Sequence, residues 1–251
     1  ISSSGHLALV PMLTDWPDQG LAMDVAVHVG TLFAVMVYFW RDMVTVAVGC
    51  LHLAAGRWTP SSRLAFFLFV GTVPVVIAGG VLSYMDLLGY LRSIEVIAWA
   101  SIVFGVLLYL ADRLGMTLQR MEHMSVPSAL VIGLAQALAL IPGASRAGVT
   151  MMAARFLGFE ARAAAHFSML LSIPTIIAAG VLESRELYQS GQLQFGSDVA
   201  IATVLAFATA LVSIAVLMFW LRRSGFTPFV VYRIILGAGL LWWVYSTGTP
   251  I

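Results

Sequence analysis

Apolar residues fill this chain in long runs separated by short polar breaks. A run of roughly 20 mostly apolar residues, at about 1.5 Å per residue, crosses a bilayer as a helix. Runs of that kind are predicted at 21–40, 64–88, 94–110, 162–182, 199–221 and 227–245. The first carries Asp24 and His28 one turn apart on a shared face and ends at Arg41 and Asp42, after which a shorter apolar run leads to a loop with Arg57 and Arg63. Residues 1–13 pair a polar cluster with an apolar run too short to span. Residues 14–20 form a loop whose Trp16 suits the bilayer interface. Polar connections are expected at 112–125 and 183–198. Uninterrupted runs of this length are unlike the alternating pattern of a membrane barrel, so helices must satisfy the backbone.

One interval departs from the rhythm. Val126 to Leu140 and Ala147 to Gly158 are each too short to cross, and the sequence IPGASRAGVT, Ile141 to Thr150, spans the break between them. Two short helices meeting at a Pro-Gly break predict a re-entrant hairpin, which is tolerated where the broken backbone is buried in protein or lines a wet cavity. Residues 67–82, FLFVGTVPVVIAGGVL, also align without gaps to 167–182, FSMLLSIPTIIAAGVL, with seven of sixteen positions identical, Pro74/Pro174 and Gly80/Gly180 among them. A short Ser-Gly segment precedes each copy, Ser2 to His6 and Gly143 to Thr150. The expectation is an all-α polytopic membrane protein and a single helical domain over 1–251. It would be an inverted repeat of two related halves, about 1–110 and about 126–251, each with a re-entrant broken-helix hairpin.

Composition agrees with this picture and narrows the partners. The 251 residues are 61% hydrophobic and 10% charged, with a mean hydropathy of +0.96, far from a soluble domain. All thirteen cations are Arg, and they are scattered rather than gathered into a patch, which argues against nucleic acid. The single Cys50 forms no intramolecular disulfide or Cys-rich metal site. The Arg pairs 57/63, 113/120 and 222/223 would favour the cytoplasmic side, if their loops share one side.

Two polar elements carry the candidate chemistry. An Arg at membrane depth costs about 2.5–3.5 kcal/mol on insertion scales, so Arg146 points to an anionic partner. Gly143 allows close backbone approach, the following helix start offers N–H groups to an anion, and Ser145 and Thr150 add hydroxyls. With the planar fork of Arg146 they describe a phosphate cradle. The alternative is a Pro-kinked helix whose Arg snorkels to the headgroups. In the other element, Ser2, Ser3, Ser4, Gly5 and His6, an imidazole lies within about one turn of three hydroxyls, which suits an activated nucleophile. A polar cap cluster explains that spacing equally well. Asp24 and His28 read as a self-satisfying buried pair ahead of a tuning or metal-binding role. Arg155, Arg162 and His166 read as solvated or headgroup-facing, Gln136 as a donor to the break, and Arg233 as structural.

These residues resemble a known family. PGASRAGVT is similar to the PGxSRSxxT signature of the bacterial undecaprenyl-diphosphate phosphatase, or bacitracin-resistance, family, and SSSGH to its SSTGH element. HVGTLFAVMVYFWRD, FSMLLSIPTIIAAG and FTPFVVYRIILG match further family segments in order, so the resemblance covers nearly the whole chain. It implies an inverted-repeat fold with two re-entrant helix pairs in the bacterial inner membrane. The implied activity is removal of the terminal phosphate of undecaprenyl diphosphate, giving the monophosphate carrier for cell-wall synthesis, at a site facing the periplasm or outside. Carried over, Ser3 is the nucleophile, His6 the general acid/base and Arg146 a catalytic cation, while Ser2, Ser4, Gly143, Ser145 and Thr150 bind the phosphates. Ala147 departs from the family's Ser. The resemblance also implies a divalent cation, Mg²⁺ or Ca²⁺, on acidic residues of an ExxxE motif ahead of SSTGH. The given chain starts after that point, so metal ligands are unknown here and the chain reads as N-terminally truncated, a fragment expected to lack activity alone. Expected partners are a polyprenyl diphosphate lipid and the bilayer, with a homodimer left open. The rival reading is a polyprenyl-phosphate lipid translocase built on the same broken helices; the Ser and His pair, which anion transport does not need, counts against it.

Overall fold

A computed structural model describes residues 20–85, 93–190 and 197–247. Nine α-helices follow one another among these residues: α1 Leu21–Tyr38, α2 Trp40–Ala54, α3 Pro60–Tyr84, α4 Ile94–Leu114, α5 Val126–Ala137, α6 Arg146–Phe156, α7 Ala161–Ser190, α8 Ser197–Trp220 and α9 Thr227–Thr247. Five of them, α3, α4, α7, α8 and α9, are long and apolar enough to cross a membrane, and the pair α1 and α2, bent by 90° at Phe39, makes six if it is counted as one span. The chain is a multi-pass membrane protein. The all-helical architecture predicted from the apolar runs is present, with two differences. The first run breaks at Phe39 and turns, and α7 continues through 183–190, where a polar loop was expected.

Local chemistry sets the helix starts. Thr59 and Ser62 cap each other reciprocally ahead of α3, with Pro60 in the first turn, where its missing N–H costs nothing. Ser93 accepts from the Val96 N–H at 3.2 Å at the head of α4, and Ser125 accepts from the Ser128 N–H at 3.3 Å at the head of α5. Each cap satisfies an N–H that the helix itself cannot.

Helices α5 and α6 form the expected re-entrant hairpin. Its arms start and finish together, because the Gln119 carbonyl accepts from Glu160 N at 2.8 Å and the Gly158 carbonyl accepts from Gln119 N at 2.9 Å. From that base α5 runs inward to a short 3₁₀ turn, Leu138–Leu140, and α6 returns. The loops with Arg57 and Arg63, Arg113 and Arg120, and Arg222 and Arg223 all lie at the end of the bundle where this base sits. Arg113, Arg222 and Arg223 line one cleft with Glu160, Arg120 pairs with Glu160, and α3 starts there too, running alongside α5 with Gly71 against Gly133 and Gly79 against Leu140. Gly133 packs so tightly that a Cβ would stand 2.4 Å from the Gly71 carbonyl oxygen, the close approach that small residues permit between membrane helices.

The segments matched at an offset of one hundred lie on α3 and α7. Gly71 faces the Leu171 side chain, and both helices lead away from the arginine-rich end. That match therefore joins two helices of the same sense. Helix α1 runs against α7, with Phe39 stacked on His166 near the base and His28 beside Gly180 further along, an opposite sense that is consistent with inverted halves. Buried side chains concentrate around the hairpin, including Ile132, Val149, Phe167, Leu170 and Leu171, while Phe69, Ile77, Val204, Phe219 and Ile235 stay exposed on the spans. In a bilayer those outer faces meet lipid.

Candidate active site

The tip of the hairpin is where the chain is strained. Pro142 and Gly143 stop the 3₁₀ turn; Gly143 adopts φ 88°, and a Cβ there would lie 2.4 Å from the Ile97 carbonyl oxygen. Two residues on, Ser145 is the one non-glycine residue with positive φ among those described, at 68°. A left-handed backbone at an ordinary residue costs on the order of 1–3 kcal/mol and persists only where the surroundings impose it. Its side chain still caps α6, Oγ accepting from the Gly148 N–H at 3.3 Å. The N–H groups of Arg146 and Ala147 make no hydrogen bond among the described residues, so the helix presents open donors beside a guanidinium.

These groups face a cavity of about 600 Å³ walled by α1, α7 and α8. Ser145, Arg146 and Ala147 form one side of it; His28, Thr31, Ser172, Thr175 and Glu183 lie on the others. Arg146 reaches across to α7, its Nη1 donating to the Ser172 carbonyl at 3.3 Å. That leaves most of its donors for an anion. The Ser172 and Thr175 hydroxyls donate to their own helix, to Met169 O at 2.6 Å and Leu171 O at 2.9 Å, and their oxygens remain acceptors. The stripe Ser172, Thr175 and Glu183 was overlooked in the sequence, although its spacings of three and eight keep it on one helical face.

A second arginine holds the turn from behind. Arg233 on α9 is 5% exposed and donates through Nη2 to the Gly143 carbonyl at 2.9 Å and through Nε to the Ser101 carbonyl at 3.3 Å. Its Nη1 makes no hydrogen bond to the described residues and lies where a Cβ on Gly148 would come within 2.5 Å. The structural role expected of Arg233 takes this specific form: it fixes the break that carries Arg146.

The remaining candidates divide. Thr150 turns inward from the cavity, its Oγ1 donating to Arg146 O at 2.9 Å and sharing a hydrogen bond of 2.5 Å with Ser168 Oγ. Gln136 bonds sideways rather than to the break: Nε2 donates to Gly71 O at 3.4 Å, and Oε1 lies 3.5 Å from the Thr175 hydroxyl, whose hydrogen it could take only in place of the Leu171 carbonyl. Instead of pairing with the Asp24 carboxylate, the His28 ring donates through Nδ1 to the Asp24 carbonyl at 2.7 Å. A carbonyl can only accept, so in the neutral ring Nε2 keeps its lone pair, on a side chain that lines the cavity. Arg155, expected in a solvated role, is buried and bound to Asp112, because a guanidinium removed from water needs a carboxylate beside it. His166 is likewise partly buried against Phe39 and 3.1 Å from Asp42, whereas Arg162 is exposed as expected. Ser2, Ser3, Ser4 and His6 lie outside the described residues.

Comparison with known proteins shows the family. Residues 1–239 match the family model described as bacitracin resistance protein BacA. The chain belongs to that family. Within it, the chain is similar to undecaprenyl-diphosphatase 1 of Rhodospirillum rubrum, 50% identical over 249 residues that cover 96% of this chain and 88% of the relative. The undecaprenyl-diphosphatases of Roseobacter denitrificans and Hahella chejuensis are 48% and 47% identical over 247 residues, covering 98% of this chain and 92% of each relative. For a BacA family member, a divalent cation would require carboxylates or imidazoles in a group. Among the described residues no three His, Cys, Asp or Glu side chains come together in that way, so they do not by themselves form a metal site.

Proposed function

We propose that this protein is an undecaprenyl-diphosphate phosphatase, cleaving the terminal phosphate from the membrane-bound diphosphate and leaving the lipid monophosphate. The observation that carries this reading is Arg146: a guanidinium fork on a strained helix start, open to a cavity inside a membrane protein. In the net reaction an oxygen from water ends on the terminal phosphorus, the bond from that phosphorus to the bridging oxygen breaks, and the bridging oxygen leaves with the lipid monophosphate while inorganic phosphate is released. The Arg146 guanidinium and the open N–H groups of Arg146 and Ala147 sit where they would stabilise charge gathering on the phosphoryl oxygens. The strained turn keeps those donors aimed before substrate arrives, so little reorganisation is left for the transition state. Ser3 is assigned as nucleophile and His6 as its acid/base partner on the motif, with Ser2 and Ser4 as further donors. Mg²⁺ or Ca²⁺ enters the proposal through the family resemblance alone, and no step is assigned to it.

Orientation follows from charge. Loops rich in Arg favour the cytoplasmic side, and the cavity runs from the hairpin tip along α7 toward Glu183, away from the arginine-rich end. The site is therefore proposed to open to the periplasmic or outer face of a bacterial inner membrane. The deciding experiment measures phosphate release from undecaprenyl diphosphate by the full-length protein in liposomes. Substitution of Arg146 by Ala or Ser3 by Ala should abolish most of the release while the unfolding transition is kept; release at the parental rate in the folded Arg146→Ala variant would refute the assignment.

A further inference from the structure

A second cavity, of about 590 Å³, opens at the arginine-rich end, where α4 stops and α7 and α9 begin. It shares no lining residue with the cavity at the hairpin tip. Five arginines line it against two carboxylates, and both carboxylates are already engaged. Asp112 accepts from Arg155 Nε at 3.1 Å and from the Phe226 N–H at 2.9 Å, and Glu160 pairs with Arg120 at 3.1 Å. Of the other cations, Arg113 lies over the Tyr109 ring at 5.4 Å, while Arg162, Arg222 and Arg223 make no side-chain hydrogen bond or ion pair among the described residues. Their charge thus goes unmatched among the described residues.

Orientation of the chain in the bilayer asks only that positive residues lie near the cytoplasmic surface. Here more is present. Arg113 near the end of α4, Arg162 in the first turn of α7 and the pair 222 and 223 between α8 and α9 converge on one concavity, with Thr117 and Ser224 hydroxyls between them. The start of α7, Ala161 and Arg162, forms part of the wall, so the positive pole of a 30-residue helix adds to the same field. Planar guanidinium forks and hydroxyl donors suit phosphate oxygens. The neighbours of these residues in the chain, Leu114, Met116, Leu118 and Trp220, are exposed and offer acyl chains an apolar flank.

We propose that this cleft is a second phosphate-binding site, which takes the headgroup phosphate of an anionic membrane lipid. Each Arg beside an anionic lipid surface contributes roughly fivefold to binding, so a triple variant Arg162→Gln, Arg222→Gln, Arg223→Gln should lose on the order of a hundredfold. The measurement is native mass spectrometry of the full-length protein in detergent, titrated with phosphatidylglycerol, with phosphatidylcholine, and with inorganic phosphate as competitor. The expected result is weaker retention of phosphatidylglycerol by the triple variant, with phosphatidylcholine retention unchanged and little competition from inorganic phosphate. Complete displacement of lipid by inorganic phosphate, lost in the triple variant, would keep a phosphate site and overturn the lipid as its source. Equal phosphatidylglycerol retention by parent and variant would overturn the site. Should the triple variant fail to unfold cooperatively, single Arg162→Gln and Arg223→Gln variants take its place, each expected to weaken phosphatidylglycerol several-fold, and no change in either has the same negative meaning. The readout is lipid retention, so it stands or falls apart from the phosphatase assignment.

Discussion

Arg146 at the tip of the hairpin and Arg155 at its base lie on the same short helix, nine positions apart, and their surroundings are opposite. Arg155 is 4% exposed, with Nε on the Asp112 carboxylate, Nη2 on the Asp112 carbonyl at 2.9 Å and Nη1 on the Phe159 carbonyl at 2.6 Å. Arg146 makes one long hydrogen bond to a carbonyl and faces open space. The first is satisfied by the protein and holds the fold; the second keeps donors that the described residues do not use, as the proposed phosphate contact requires. Within one helix, then, the same side chain is a fastener or a receptor according to whether a carboxylate has been placed beside it.

Substitutions can break this contrast. The largest effect on stability is expected at the base: Arg155→Ala strands Asp112 and should destabilise by about 3–5 kcal/mol, read as a lower unfolding temperature in detergent. Loss of less than about 1 kcal/mol would place that pair with exposed ones. At the tip, Arg146→Ala should leave the unfolding temperature near that of the parent while phosphate release falls about 10²–10³-fold, and Arg146→Lys, which keeps charge without the fork, should fall between. Gly143→Ala tests how far the tip depends on its backbone. A Cβ at φ 88° aimed at the Ile97 carbonyl should cost about 1–3 kcal/mol and lower release as well, whereas normal release would show that the turn tolerates displacement. The smallest change is expected at Glu160→Gln, whose pair with Arg120 is 38% and 69% exposed. Under about 1 kcal/mol is predicted there, and a larger shift would mean that the exposed pair helps to clamp the hairpin base.

The spans and the hairpin were legible in the sequence because run length reports directly on bilayer thickness, and Pro142 with Gly143 cannot sit inside a helix. The helix start that carries Arg146 was legible on similar grounds, since an Arg between apolar runs is costly to bury and stands out from them. What escaped was non-local. Arg155 finds Asp112 forty-three positions away, and nothing near either residue announces the other. Gln136 was assigned to the break because it is close to it in sequence, yet its side chain turns toward Gly71. The bend at Phe39 lies in an unbroken apolar run without Pro or Gly beside it. The offset match between α3 and α7 reflects shared Pro and Gly positions in two helices of the same sense.

The α6 arm, Arg146–Phe156, has 11 residues. It works as an arm of about 16 Å, clamped by Asp112 at the base and steadied at the tip by Arg233 on the Gly143 carbonyl. A tilt of about 5° at the clamp would swing the guanidinium by about 1.4 Å, and a misplacement near 1 Å is enough to cost a reaction about a hundredfold. The stiffness of the Arg155 and Asp112 joint, together with that of the Arg233 contact at the tip, therefore sets the aiming error of the guanidinium.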